Sequence, residues 1–274
     1  SSAWRLMQRA LRGVIIDRLT AHHRGNRWKE EDLAGKIRNR IIGALFRQKS
    51  VLEIIETRTG KASELRSQTS TRRVDRLVEI ACYRFHAALQ SHPIKDILDG
   101  RITRWYLFSR LEKTKLQNYD LHISPDLVWF SGFTCHVLRF AVQDVARLGE
   151  DKRLENFAMV EWARNQIGLP ANPERYMVEN LYWNGGKWKI WKEKCTHRHV
   201  EDAIKMIYSD MKAMRELHYK LGLSCDLSQI PLAKNKLTCR SCGHRDTCPG
   251  GEDLYLAKLE QSALEMSKAS GKFR

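Results

Sequence analysis

The stretch DLVWFSGFTCHVLRFAV, residues 126–142, decides the fold. Branched and aromatic residues fill 126–130 and 136–142, and Ser131-Gly132 between them is turn chemistry, so the segment predicts two neighbouring strands. On the N-terminal side, Trp105-Tyr106-Leu107-Phe108 and Leu121-His122-Ile123 read as further strands. On the C-terminal side, residues 154–167 revert to helical spacing. Leu154, Phe157, Ala158, Trp162 and Ile167 form one broad apolar face there, and Pro170 and Pro173 end the run. Residues 176–183 and 187–192 are strand-like again and are joined by Asn184-Gly185-Gly186, a hairpin signal.

Helices bracket this strand-rich centre. Upstream, a helix over 72–90 carries Val74, Leu77, Val78, Ala81, Cys82 and Phe85 on its inner side and closes before His92-Pro93. Residues 1–60 predict two or three amphipathic helices, with Leu6, Leu11, Val14, Ile15 and Leu19 on one face and Leu33, Ile37, Ile41, Ile42 and Leu45 on the next. The polar run 57–71 reads as a linker. Downstream, 196–221 predicts a long helix that stops at Gly222, and 252–268 a last one. This order implies an α/β (α+β) class with a mixed central sheet flanked by helices. The expected domains are a basic helical N-terminal region, 1–70, and a core with a C-terminal cysteine region, 71–274.

The chain of 274 residues is long enough to bury a sizeable core. Its 48 Lys+Arg against 32 Asp+Glu give a formal charge of +16, and the isoelectric point is about 9.7. The excess runs through most of the chain, which points to a polyanionic partner, DNA foremost. It is dense in the N-terminal helices, where Arg5, Arg9, Arg12, Lys36, Arg38 and Arg40 alternate with Leu, Ile and Val at helical spacing. These six are the candidate nucleic-acid-binding residues, and a protein partner for the same helices is the other expectation. Trp105, Tyr106, Trp129, Trp183, Trp188 and Trp191 occur in strand-like alternation and read as packing in preference to base-stacking surfaces. No run approaches the roughly 18–20 apolar residues of a membrane span, and the N-terminus has no apolar signal-like segment. The expected compartment is therefore intracellular and reducing, the cytoplasm.

Seven cysteines, an odd number clustered at metal spacing, argue for that compartment and against a disulfide framework. Cys239, Cys242 and Cys248 are spaced C-x2-C-x5-C, and three thiolates leave a soft metal centre one ligand short. Cys82 is the expected fourth ligand, with Cys225, His244 and His197 as competitors. Cys135 and Cys195 lie in or beside apolar strand-like runs and read as buried small hydrophobes. Spacing alone does not separate an iron–sulfur cluster from zinc.

Cys82-Tyr83-Arg84 on a helix, Pro125-Asp126 entering a strand and the downstream C-x2-C-x5-C together resemble the iron–sulfur branch of the PD-(D/E)XK nucleases. That branch includes the CRISPR-associated exonucleases and the RecB-like and AddB-like nuclease domains. The resemblance covers residues 75–250 in order and type of element. It implies a [4Fe–4S] cluster on Cys82, Cys239, Cys242 and Cys248, with zinc as the alternative. It also implies a Mg²⁺ or Mn²⁺ site in which Asp126 is joined by a second carboxylate and a lysine.

At that second carboxylate the sequence departs from the pattern. On a strand at 136–142 the (D/E)-x-K triplet becomes Arg139-Phe140-Ala141, with neither acid nor lysine; on a strand at 158–163 it becomes Glu161-Trp162-Ala163, which loses the lysine. Helical spacing over 154–167 favours the first alignment and makes Glu161 a solvated helix residue, since the family places a helix after its catalytic strand. His86 stands for the histidine that many of these nucleases present to the metal, or else packs against the sheet. Asp126, Glu161 and His86 are thus the candidate catalytic residues, and Glu179 or Lys189 are possible recruits. The expected function is a DNA-binding iron–sulfur protein on a nuclease-like fold with a degenerate active site. The alternatives are an active Mg²⁺- or Mn²⁺-dependent exonuclease with a rearranged site, and a zinc- or cluster-stapled subunit of a nucleoprotein assembly.

Overall fold

A computed structural model describes residues 3–59, 71–109, 112–116, 119–144 and 149–224. Helix α1 (Ala3–His23) repeats Leu11, Val14, Ile15 and Leu19 at three- and four-residue steps, which places them on one stripe, and all four are fully buried. Helix α2 (Leu33–Thr59) contributes Leu33, Ile37 and Ile41, and α3 (Thr71–Leu89) contributes Val74, Leu77, Val78, Ala81, Phe85 and Ala88. The end of α3 is fixed by the Ser91 hydroxyl, which donates to the Ala88 carbonyl at 2.6 Å, and the short α4 (Ile94–Leu98) follows Pro93. The N-terminal helices set apart by their charge share one apolar core with α3 and the sheet residues Leu127, Leu138, Phe140 and Leu181. Each has an apolar face as well as a basic one, and the apolar face decides where it sits. Burying each of those aliphatic side chains stabilises the fold by about 1.5–3 kcal/mol.

The strands are β1 (Trp105–Leu107), β2 (Thr114–Leu116), β3 (Tyr119–Leu121), β4 (Leu127–Ser131), β5 (Thr134–Asp144), β6 (Tyr176–Asn184) and β7 (Lys187–Lys194). Five of them form a mixed sheet in the order β1-β4-β5-β6-β7, so the fold is α+β; β2 and β3 make a separate two-stranded hairpin. The strand expected at 121–123 is thus the end of that hairpin, not a member of the main sheet. β1, β4 and β5 run antiparallel, and β6 pairs parallel to β5 because α5 (Glu150–Arg164) carries the chain back between them. Leu127, Val128 and Trp129 are consecutive and all buried, as expected of a central strand covered on both faces. One face meets α1–α3; the other meets α5, where Phe157, Ala158, Met159, Val160, Trp162 and Ala163 are buried. The outer strand β7 carries Lys187, Lys189, Lys192 and Lys194, charges that discourage further strand pairing at a sheet edge.

Helix α6 (His197–Ser224) follows the sheet. By contacts the chain divides into two compact units, Ser1–Ile204 and Lys205–Arg274. The first holds the sheet and α1–α5; of the second, the described part is the continuation of α6. No helix among the described residues is long and apolar enough to cross a membrane.

Candidate functional site

Pro125-Asp126 leads directly into β4, and Asp126 is fully buried. Its backbone closes the sheet at this point: its N–H donates to the Leu138 carbonyl at 2.9 Å, and its carbonyl accepts from Phe108 N–H at 3.2 Å. The side chain accepts from three further N–H groups. Oδ2 takes the Phe140 backbone N–H at 2.7 Å, and Oδ1 takes Nε of Arg12 at 3.0 Å together with Nη2 of the same guanidinium. A carboxylate held by a forked guanidinium and a backbone amide is a strong, charge-assisted arrangement. Asp126 therefore ties α1 to β5.

The triplet Arg139-Phe140-Ala141 lies on β5, beside that carboxylate, and supplies no acid or lysine. Phe140 is buried in the helical core, and Arg139 reaches Glu155 of α5 at 3.3 Å and the carbonyls of Ile123 and Ser124 at 3.4 and 3.5 Å. Two guanidiniums, Arg12 and Arg139, thus bracket the Pro-Asp segment. This setting disfavours a divalent cation, because both carboxylate oxygens already accept N–H groups and, among the described residues, the side chains that reach the segment, Arg12 and Arg139, are cationic.

The other candidate catalytic residues lie elsewhere. Glu161 is on α5, as the helical spacing requires, but it is buried and not solvated: Arg164 Nε lies 2.8 Å from its Oε2, and the Asn165 amide donates to its backbone carbonyl. His86 projects from α3 into solvent, with Nδ1 3.1 Å from Glu30 Oε1, so it neither meets Asp126 nor packs on the sheet. Glu179 and Lys189 cannot act as a pair. Glu179 is opposite Lys192 across β6 and β7, whereas Lys189 is opposite Tyr182, three residues on, and side chains of opposite parity project to opposite faces. Glu179 is instead buried with His136, whose Nδ1 donates to its Oε1 at 2.8 Å; its Oε2 has no hydrogen-bond partner among the described residues. The His136 ring stacks on Trp129 with centroids 3.6 Å apart. Glu179 was a candidate from sequence, but its partner was not, because His136 lies 43 residues away within an apolar run.

Of the expected cluster ligands, Cys82 lies among the described residues; Cys239, Cys242 and Cys248 lie outside them, as do the competitors Cys225 and His244. Cys82 is half-buried on α3 against the helical core, and burial raises its thiol above the ordinary value, so binding a metal would have to displace its proton. His197, the remaining competitor, is exposed with Nδ1 3.6 Å from Glu174. Cys135 and Cys195 are fully buried, and burial pushes both thiols up to about 12, which keeps them neutral packing residues. Among the described residues no group of three His, Cys, Asp or Glu side chains could hold a metal ion.

The candidate nucleic-acid-binding residues divide in two. Arg12 is committed to Asp126; Arg38 pairs with Asp75 and Arg40 with Asp17, each at 2.6 Å, joining α2 to α3 and α1; and the Lys36 amine sits 4.1 Å over the Trp28 ring. Arg5 and Arg9 are exposed on α1. No family model, curated protein or solved structure matches the chain.

Proposed function

We propose that the protein binds DNA on a nuclease-like scaffold whose hydrolytic position has become an ion-pair clasp, stapled by a cluster on Cys82, Cys239, Cys242 and Cys248. The observation that carries the reading is the fate of Asp126. The Pro-Asp carboxylate stands at the start of β4 against the backbone of the 139–141 triplet on β5, with α5 following, in the order the resemblance implies. Where the chemistry needs a cation and a lysine, the carboxylate instead meets Arg12, with Arg139 close by. The excess of Lys and Arg supplies the attraction to phosphate.

The test is a labelled-DNA assay at several salt concentrations, with and without Mg²⁺ or Mn²⁺. The expected outcome is binding that weakens steeply with salt, and no cleavage. Metal-dependent cleavage that disappears in Asp126→Ala would replace this reading by that of an active nuclease. One observation favours a second reading, the assembly subunit: most of the candidate basic residues on α1 and α2 are spent on contacts within the protein. Failure of the wild-type chain to bind DNA, together with zinc in place of iron, would favour it.

A further inference from the structure

The end of the main sheet where β5 and β6 begin lies away from Asp126, which stands at the other end of β4. There, β4 turns into β5 through Gly132 and Phe133 alone, since Ser131 and Thr134 are already paired. Gly132 adopts φ +55°, a left-handed conformation that suits glycine in a two-residue hairpin loop. This tight turn holds Phe133 out into solvent, 87% exposed. A lone exposed phenylalanine is ordinary on a protein surface. Two arginines, however, converge on the same turn.

Arg175, just ahead of β6, donates Nε and Nη2 to the Phe133 carbonyl at 3.3 and 3.1 Å, with its guanidinium carbon 5.9 Å from the Phe133 ring centre. Arg104, just ahead of β1, places its guanidinium carbon 3.9 Å from the ring centre of Phe130, on the strand leading into the turn. Both side chains are exposed, and among the described residues neither has a carboxylate partner. The buried Cys135 at the start of β5 feels both: burial raises its thiol, and Arg104 and Arg175 together draw it back. Ile167, fully exposed in the connection from α5 to β6, adds a second apolar point at this end of the sheet. Arg12, Arg38, Arg40, Arg139, Arg153 and Arg164 are paired with Asp or Glu, whereas Arg104 and Arg175, like Arg18, Lys36 and Arg84, lie over aromatic rings, and the guanidiniums of Arg104 and Arg175 keep N–H donors to offer.

We infer that the β4–β5 turn is a binding site for single-stranded DNA, in which an unpaired base stacks on Phe133 and its flanking phosphates are met by Arg104 and Arg175. This rests on the DNA-binding reading above and adds to it the form of the substrate. A flat apolar ring between cations matches the two surfaces of a nucleotide, and a base exposes its face for stacking when it is unpaired.

Fluorescence anisotropy of the full chain with a labelled thymidine strand, and with a duplex of the same length, tests this. Phe133→Ala is expected to weaken single-strand binding about tenfold, to leave duplex binding and the melting temperature unchanged, and Phe133→Trp is expected to restore the affinity. Arg104→Gln combined with Arg175→Gln is expected to flatten the slope of log affinity against log salt by about 1.4, two single-strand phosphate contacts at about 0.7 each. If the wild type binds DNA and Phe133→Ala leaves single-strand affinity intact, this inference falls and the DNA-binding reading stands. If the wild type binds neither probe, both fall. If polyglutamate displaces the strand and its own binding is lost in Phe133→Ala, the turn serves an acidic protein segment and the inference is overturned.

Discussion

Removing the Arg12 guanidinium leaves the Asp126 carboxylate buried without its counter-charge, so Arg12→Ala is expected to cost about 3–5 kcal/mol, measured by urea denaturation. Because the two groups act as a unit, the double variant Arg12→Ala with Asp126→Ala should cost less than the sum of the singles. Strict additivity would mean that the pair is not coupled. Asp126 itself was legible in the sequence, since a Pro-Asp before a branched run marks a strand start. Its partner was not, because Arg12 lies 114 residues upstream and looks like any other basic helix residue. The Glu193 carboxyl is drawn below its ordinary value of 4.5, chiefly by the hydrogen bond from Arg153. A depressed carboxyl contributes stability that is complete above the unfolded value and is lost as pH falls through the folded one. Glu193 is partly exposed, so the contribution is about 1 kcal/mol or less. Glu193→Gln should therefore melt below the wild type at neutral pH, and the two melting curves should converge in the acid range below the ordinary carboxyl value. A gap that persists undiminished into acid would exclude that linkage.

At the scale of elements, the Asn184-Gly185-Gly186 turn was legible because its chemistry is local. Gly185 and Gly186 adopt φ +58° and +78°, and a Cβ at either would meet nothing, so the glycines serve conformation and not space. Gly186→Ala is expected to cost about 1–2 kcal/mol in chemical denaturation; a neutral outcome would show that the turn relaxes to another form. Helix α3 was equally legible, its apolar repeat spanning the observed Thr71–Leu89. The helix expected at 154–167 was displaced toward the C-terminus because Ile167 was counted on its apolar face. In the structure the helix stops at Arg164, and Ile167 is exposed just before Gly168 at φ +84°. Periodicity registers which residues are apolar, not which of them find a partner. The same blindness affects Phe133, whose exposure depends on the turn that carries it.

For the molecule as a whole, charge and cysteine spacing were the readable features, and the order of the sheet was not. That β1 pairs with β4 and β6 lies parallel to β5 follows from long-range packing that no local pattern encodes. The basic character of the N-terminal helices is partly consumed in joining helices, whereas Arg104 and Arg175 have no acidic partner among the described residues. Anaerobically purified protein is expected to be brown, with a broad absorbance near ~400 nm from thiolate-ligated iron, and Cys82→Ser or Cys242→Ser should abolish it. A colourless protein containing zinc would contradict the cluster.

The claim that Asp126 is a structural clasp and not a metal ligand is tested most directly by thermal melting of the wild type and Asp126→Ala, each with and without Mn²⁺. The clasp predicts that Mn²⁺ leaves the wild-type midpoint unchanged and that Asp126→Ala falls by about 6–12 °C, the shift of about 3 kcal/mol in a domain of this size. A wild-type midpoint raised by Mn²⁺, a variant indifferent to it, and equal midpoints without metal would contradict the clasp, because a cation that binds the folded state at Asp126 stabilises it by mass action.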